Sequence, residues 1–164
     1  MEVVESGGDE PVRVVQMPHG THEARVDEKG RLKVPAKLLP YLQAAGKRLF
    51  VTTLDLVTAR LYPVSVWQQN LSLFQGAQDE PEVASDMWLV AQHYGDDTEL
   101  DGQGRILIHP ELRRLLGMEN QTVYLECYNG RVNIYSKATY EARLEKAKAR
   151  VAENLLKLER RGLV

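Results

Sequence analysis

ARVDEKGRLKVPAKLL, Ala24 to Leu39, aligns without a gap on TELDGQGRILIHPELR, Thr98 to Arg113, at an offset of 74 residues. Asp27, Gly30 and Arg31 coincide with Asp101, Gly104 and Arg105. The apolar positions Val26, Leu32, Val34 and Leu38 coincide with Leu100, Ile106, Ile108 and Leu112. Further along, with one residue deleted, RLYPVSVWQQNL matches NIYSKATYEARL and pairs Leu61 with Ile134, Tyr62 with Tyr135, Trp67 with Tyr140 and Leu71 with Leu144. Two matching blocks in the same order read as two copies of a unit of about fifty residues.

Each copy has the same plan. A short β-run (24–27; 98–101) ends in a D-x-x-G turn, where glycine supplies a positive φ and aspartate accepts from turn N–H groups. An alternating strand follows, with Leu32 and Val34 or Ile106 and Ile108 on its apolar face. A short helix then opens near Pro35 or Pro110, where a missing N–H costs little. Pro40 is expected to cut the first of these helices short, and Gly117 to cap the second. The next element is a β-hairpin, Leu49 to Leu54 with Thr58 to Tyr62 and Thr122 to Tyr128 with Arg131 to Tyr135, turning at Asn129-Gly130 in the second copy. Helices from about Val64 and about Lys137 close the units. The second is expected to be long, with Tyr140, Leu144, Ala147, Val151, Asn154 and Leu158 forming a seam that packs within a subunit or against a neighbour.

The chain has 164 residues and 18.6 kDa, 43% apolar and 27% charged, which is ordinary globular composition with room for a core. No apolar run approaches the ~18 to 20 residues of a membrane span. The start, MEVVESGGDE, is acidic and gives no expectation of a secretory signal. A single cysteine, Cys127, excludes an internal disulfide and suits a reducing cytoplasm.

The net charge of −2 conceals segregation. Residues 21–48 hold seven bases (Arg25, Lys29, Arg31, Lys33, Lys37, Lys47, Arg48) against three acids, while residues 77–101 hold eight acids and no base. From Lys137 onward there are eight bases and four acids. Such a chain can still show a polyanion a positive face. The expected organisation is a disordered leader (1–20), a first repeat (21–76), an acidic linker (77–96), a second repeat (97–145) and a C-terminal helical extension (146–164).

Enzyme chemistry finds little support. Asp27 and Asp101 could suggest a carboxylate dyad, but Glu28 and Gly102 follow them where an aspartic protease needs a small hydroxyl residue, and Arg31 and Arg105 stand four places on. His19 and His22 lack partners at metal-ligand spacing, and no phosphate-loop, nucleophile-elbow or zincin motif occurs. Neither a catalytic site, a cofactor, a metal nor a small-molecule substrate is expected.

Binding chemistry is better supported. An arginine just past a rigid turn can pair with guanine O6/N7 or with phosphate. It can equally neutralise its own turn aspartate, and the motif alone leaves both open. Arg31 and Lys33 share one face of their strand and, with Arg25 and Lys29, form a basic cluster. In the second copy Gln103 replaces Lys29 and Leu107 replaces Lys33, so Arg105 and Gln103 would carry that turn.

VDEKGRLKVPAKL and ELDGQGRILIHPELRRLLGM resemble the two halves of the MraZ family of bacterial regulators of the division and cell-wall gene cluster. The resemblance covers about residues 21–145 and rests on the paired D-x-x-x-R motifs, Asp27 to Arg31 and Asp101 to Arg105. It implies an α+β, mostly β fold of two tandem AbrB-like swapped-hairpin β-barrel units with flanking helices and a long C-terminal helix. It also implies a homo-oligomeric ring, located in the cytoplasm on the nucleoid, that represses by binding short direct repeats of double-stranded promoter DNA through Arg31 and Arg105. The leader of about twenty residues, Leu39 in place of an arginine, and the length of the last helix depart from the family pattern. The alternative is a non-DNA adaptor of antitoxin-like fold, with the arginines serving as turn ion pairs.

Overall fold

The computed structural model describes residues 2–5 and 13–164. Among the described residues, ten strands run β1 (Glu2–Glu5), β2 (Arg13–Gln16), β3 (Thr21–Arg25), β4 (Arg31–Lys33), β5 (Arg48–Thr53), β6 (Ala59–Pro63), β7 (Asp96–Glu99), β8 (Arg105–Leu107), β9 (Thr122–Tyr128) and β10 (Arg131–Ser136). The helices among these residues are α1 (Leu39–Ala44), α2 (Val64–Gly76), α3 (Pro81–His93), α4 (Pro110–Leu116), α5 (Lys137–Lys148) and α6 (Val151–Glu159).

The repeats interlock instead of folding side by side. One sheet has the order β3-β9-β10-β6-β5-β7. The first strand of the first repeat, β3, pairs with β9 of the second, and β7 of the second pairs with β5 of the first. At the centre β6 and β10 run antiparallel with Arg60 opposite Asn133, positions that correspond in the repeat. A separate ribbon pairs β4 with β8, again centred on corresponding residues, Leu32 opposite Ile106. The molecule thus has a pseudo-twofold axis. Val26, Leu32, Val34 and Leu38 meet Ile106, Ile108 and Leu112 in one core that both halves supply. Each copy completes its sheet only with the other.

Four expectations need correction. Composition predicts a disordered leader over residues 1–20, yet β1 and β2 form an antiparallel hairpin, Glu2 opposite Gln16 through Glu5 opposite Arg13. Val15 and Met17 pack on the core, and the β-branched pairs Val3-Val4 and Val14-Val15 give strand preference that the acidic composition masks. Met1 and residues 6–12 of that expectation lie outside the described residues. Pro40 does not end α1 but stands in its first turn, where no backbone donor is needed. The long closing helix breaks between α5 and α6 at Ala149–Arg150, and its seam packs only at its start, where Tyr140 stacks on Tyr124 with ring centroids 4.3 Å apart. The fold is α+β, but helical residues outnumber strand residues, so it is not mostly β. The acidic stretch contributes to this by folding as α3, with Ala91 fully buried.

The α2–α3 pair covers the outer face of β5 and β6. Trp67 sits between Phe50 and Tyr62, ring centroids 4.6 and 5.0 Å away, in a second apolar cluster with Val66 and Ala91. The Asn129-Gly130 hairpin turn has φ of 49° and 81°, as its sequence requires. Gly117 caps α4 in the left-handed region, φ 64°.

Candidate nucleic-acid interface

The two D-x-x-G-R turns are nearly superimposable in their bonding. In the first, Asp27 Oδ1 accepts from the backbone N–H groups of Lys29 and Arg31, both at 2.9 Å, and Oδ2 meets Arg31 Nε at 2.9 Å. In the second, Asp101 Oδ1 accepts from Gln103 and Arg105 at 2.8 and 2.9 Å, and Oδ2 meets Arg105 Nε at 2.8 Å. The backbone closes each turn alike, Gly30 N to Asp27 O at 3.0 Å and Gly104 N to Asp101 O at 3.1 Å. The glycines are required, with φ of 82° and 72°.

These donors lower both carboxylate pKa values, the backbone N–H of the following arginine contributing most. A carboxylate whose folded pKa is depressed stabilises the fold fully above its ordinary value. That contribution drains away as pH falls through the lower folded value. Each aspartate is therefore a turn-holding anion already committed to three donors. The carboxylate-dyad reading loses its basis, because neither acid is unpaired.

The turns belong to one ribbon. Val34 N donates to Gly104 O and Ile108 N to Gly30 O, both at 2.9 Å, so each turn is bonded to the strand of the other copy. Register places Arg31 opposite Leu107 and Lys33 opposite Arg105. Residues opposite one another share a face, so Arg31, Lys33, Arg105 and Leu107 face outward while Leu32 and Ile106 are buried. The ion pairs use Nε, and the terminal nitrogens of Arg31 and Arg105 donate no hydrogen bond among the described residues. The side chains retain 36% and 26% exposure, which leaves the guanidinium edges facing out rather than sealed in the core. Beside the ribbon lies a groove of about 920 Å³ to which Arg31, Lys47, Arg48 and Arg105 contribute, together with Asp97 and Glu99.

The remaining sequence candidates separate. Lys29 and Gln103 are exposed at corresponding turn positions. Lys33 Nζ donates to the Gln103 carbonyl, so the first copy's lysine braces the second copy's turn. Arg25, on β3, holds Asn120 through its carbonyl at 3.1 Å and its Oδ1 at 2.8 Å. Sequence reading missed the support role of Arg113. Its Nη1 donates to the Lys29 carbonyl at 2.9 Å and lies directly beneath Gly30. Leu39, the corresponding residue of the first copy, packs instead under Gly104. The signal was the arginine-to-leucine difference itself, which marks where the two turns are supported differently.

The fold and the site define a protein of two interlocked repeats, each presenting an aspartate-braced arginine on a shared ribbon. Residues 95–159 match the family model for the MraZ protein, described as antitoxin-like. The chain is similar to proteins called transcriptional regulator MraZ. That of Koribacter versatilis is 30% identical over 66% of this chain and 76% of the relative. That of Acidobacterium capsulatum is 32% identical over 69% and 82%, and that of Methylobacillus flagellatus 31% over 79% and 87%. The chain belongs to the MraZ family. Among the described residues, no helix is long and apolar enough to cross a membrane.

Proposed function

We propose that this chain is a transcriptional regulator that binds promoter DNA by sequence and represses the division and cell-wall gene cluster, acting in the cytoplasm on the nucleoid. The names of its relatives support the regulatory role. The observation that carries DNA binding is the ribbon face with Arg31, Lys33 and Arg105 outward. A carboxylate on Nε fixes the plane of each guanidinium and leaves its terminal N–H pair for a two-pronged acceptor, the geometry that guanine O6/N7 or a phosphate offers. The two possibilities left open by the motif are thus compatible, since the aspartate orients the arginine that reads.

One ribbon gives few contacts. A ring of identical subunits on tandem direct repeats turns weak contacts into avidity through effective concentration. Surface for self-association supports this part of the reading. Leu73, Val83 and Leu89 on α2 and α3 are 70%, 57% and 67% exposed, and Val151, Leu155 and Leu158 line one side of α6. Asp79, Glu80, Glu82 and Asp86 beside the first patch, and Arg150, Arg160 and Arg161 beside the second, form no ion pair among the described residues. The two surfaces are complementary in charge.

The test is a gel-shift on the promoter of the organism's own division cluster. A bidentate base contact is worth about 1–3 kcal/mol, roughly 5- to 150-fold, and repetition round a ring multiplies it. Arg31→Ala and Arg105→Ala are each expected to lower affinity by at least about 100-fold with oligomer mass unchanged. Unchanged affinity of the double variant refutes the reading. The adaptor alternative draws on the ion pairs at both arginines. It predicts little retention on heparin or promoter DNA at low salt.

A further inference from the structure

On the sheet face turned away from the main core, where Arg60 of β6 stands opposite Asn133 of β10, lies a polar cavity of about 310 Å³. That is the lower end of the range of small-molecule sites, about 300–1,000 Å³. Arg60, Arg131 and Arg143 line it, with Asp55, Glu126 and Tyr135. Each guanidinium is anchored by an uncharged oxygen. Arg60 Nη1 donates to the Tyr62 hydroxyl at 3.3 Å, Arg131 Nε to Asn133 Oδ1 at 3.0 Å, and Arg143 Nη1 to the Tyr135 hydroxyl at 3.1 Å.

None of the three makes an ion pair among the described residues, although two carboxylates line the same cavity. Those acids take their hydrogen bonds from other donors, and Asp55 also feels the Arg60 charge. Glu126 Oε1 accepts from the Tyr135 hydroxyl at 2.5 Å and from Asn133 Nδ2 at 3.2 Å. Asp55 Oδ1 accepts from the Val57 and Thr58 backbone N–H groups at 2.9 and 2.8 Å. Three cations against two anions leave the cavity positive, and a guanidinium carries five donors of which the anchors use one. Arginines fixed in direction, in excess over the carboxylates beside them and facing one small polar space make a cradle for a tetrahedral or planar oxyanion.

We propose that this cavity binds a compact phosphate group, as inorganic phosphate or on a small phosphorylated molecule. Arg60 comes from the first repeat, and Arg131 and Arg143 from the second and its closing helix. The anion bridges the two halves at their pseudo-twofold junction and stabilises the assembled sheet. The site lies on a different surface from the β4–β8 ribbon and does not depend on the proposed DNA binding.

The experiment uses the full chain in a phosphate-free buffer. Thermal melts and calorimetric titrations are run with inorganic phosphate, with glucose 6-phosphate, and with sodium chloride at matched ionic strength. The melting temperature is expected to rise with phosphate and to be higher by about 3–6 °C once the anion is tenfold above its Kd. Arg131→Gln and Arg143→Gln, checked for an unchanged melt without phosphate, lose most of that rise. The Arg31→Ala/Arg105→Ala variant keeps it. A response to glucose 6-phosphate equal to that of phosphate assigns the site to a phosphorylated metabolite, and a response to phosphate alone assigns it to the free ion. Equal stabilisation by chloride, an undiminished response in both glutamine variants, or loss of the response in the Arg31/Arg105 variant overturns the proposal.

Discussion

Gly30 and Gly104 occupy the same place in the repeat but different surroundings. A Cβ at Gly30 would lie 1.4 Å from Arg113 Nη1, so alanine there must both take a positive φ and push Arg113 off the Lys29 carbonyl. At Gly104 the nearest atom is Leu39 Cδ2 at 3.1 Å, so the φ dominates. Left-handed backbone at a non-glycine residue costs about 1–3 kcal/mol. Gly30→Ala is expected at the upper part of that range and Gly104→Ala at the lower, read from urea denaturation midpoints; the reverse order would show that Arg113 relaxes without loss. The glycines and aspartates were legible in the sequence because their roles are local, spanning four residues. The role of Arg113 was not, because it acts across 84 residues onto the other copy's turn.

At the scale of elements, strands and hairpins were legible where side-chain chemistry dictates the turn, as at Asn129-Gly130 and the D-x-x-G turns. Helix limits were less so. Pro40 reads as a breaker or as a first-turn residue depending on where the helix begins, and burial of Tyr41 and Leu42 against the core decides it. Charge was the poorer guide for residues 77–96, where Ala91 and the Thr52 Oγ1 bond to its carbonyl at 2.7 Å fix α3 on the sheet. That helix rests on the aromatic cluster around Trp67, which is only 7% exposed. Trp67→Ala is expected to cost about 3–5 kcal/mol, the usual loss for a buried tryptophan. Far-ultraviolet circular dichroism through a denaturant titration checks this, and a loss under about 1 kcal/mol would mean that α2 and α3 do not close over the sheet as described.

The whole molecule has a negative total charge, yet bases outnumber acids in residues 21–48 and from Lys137 onward. Binding through many phosphate contacts makes log K fall with log salt at about −0.9 per contact, so a ring is expected to give a slope several times that of one subunit. Leu155→Glu with Leu158→Glu should then reduce both the mass seen by light scattering and that slope, with the thermal melt of the β core retained. Full mass in this variant would leave α6 without a part in assembly. How the halves exchange strands could not be read from the repeat, because either partner satisfies the same pattern; register alone shows that residues 21–25 pair with residues 122–126. That pairing sets a timetable for synthesis. The first of these strands leaves the ribosome roughly a hundred residues before its mate, at a rate of about 5–20 residues per second, so for some seconds it waits with an open edge. A newborn chain of this design is most vulnerable to pairing with a stranger in that interval, and a protein cut at the acidic stretch would remain in it permanently.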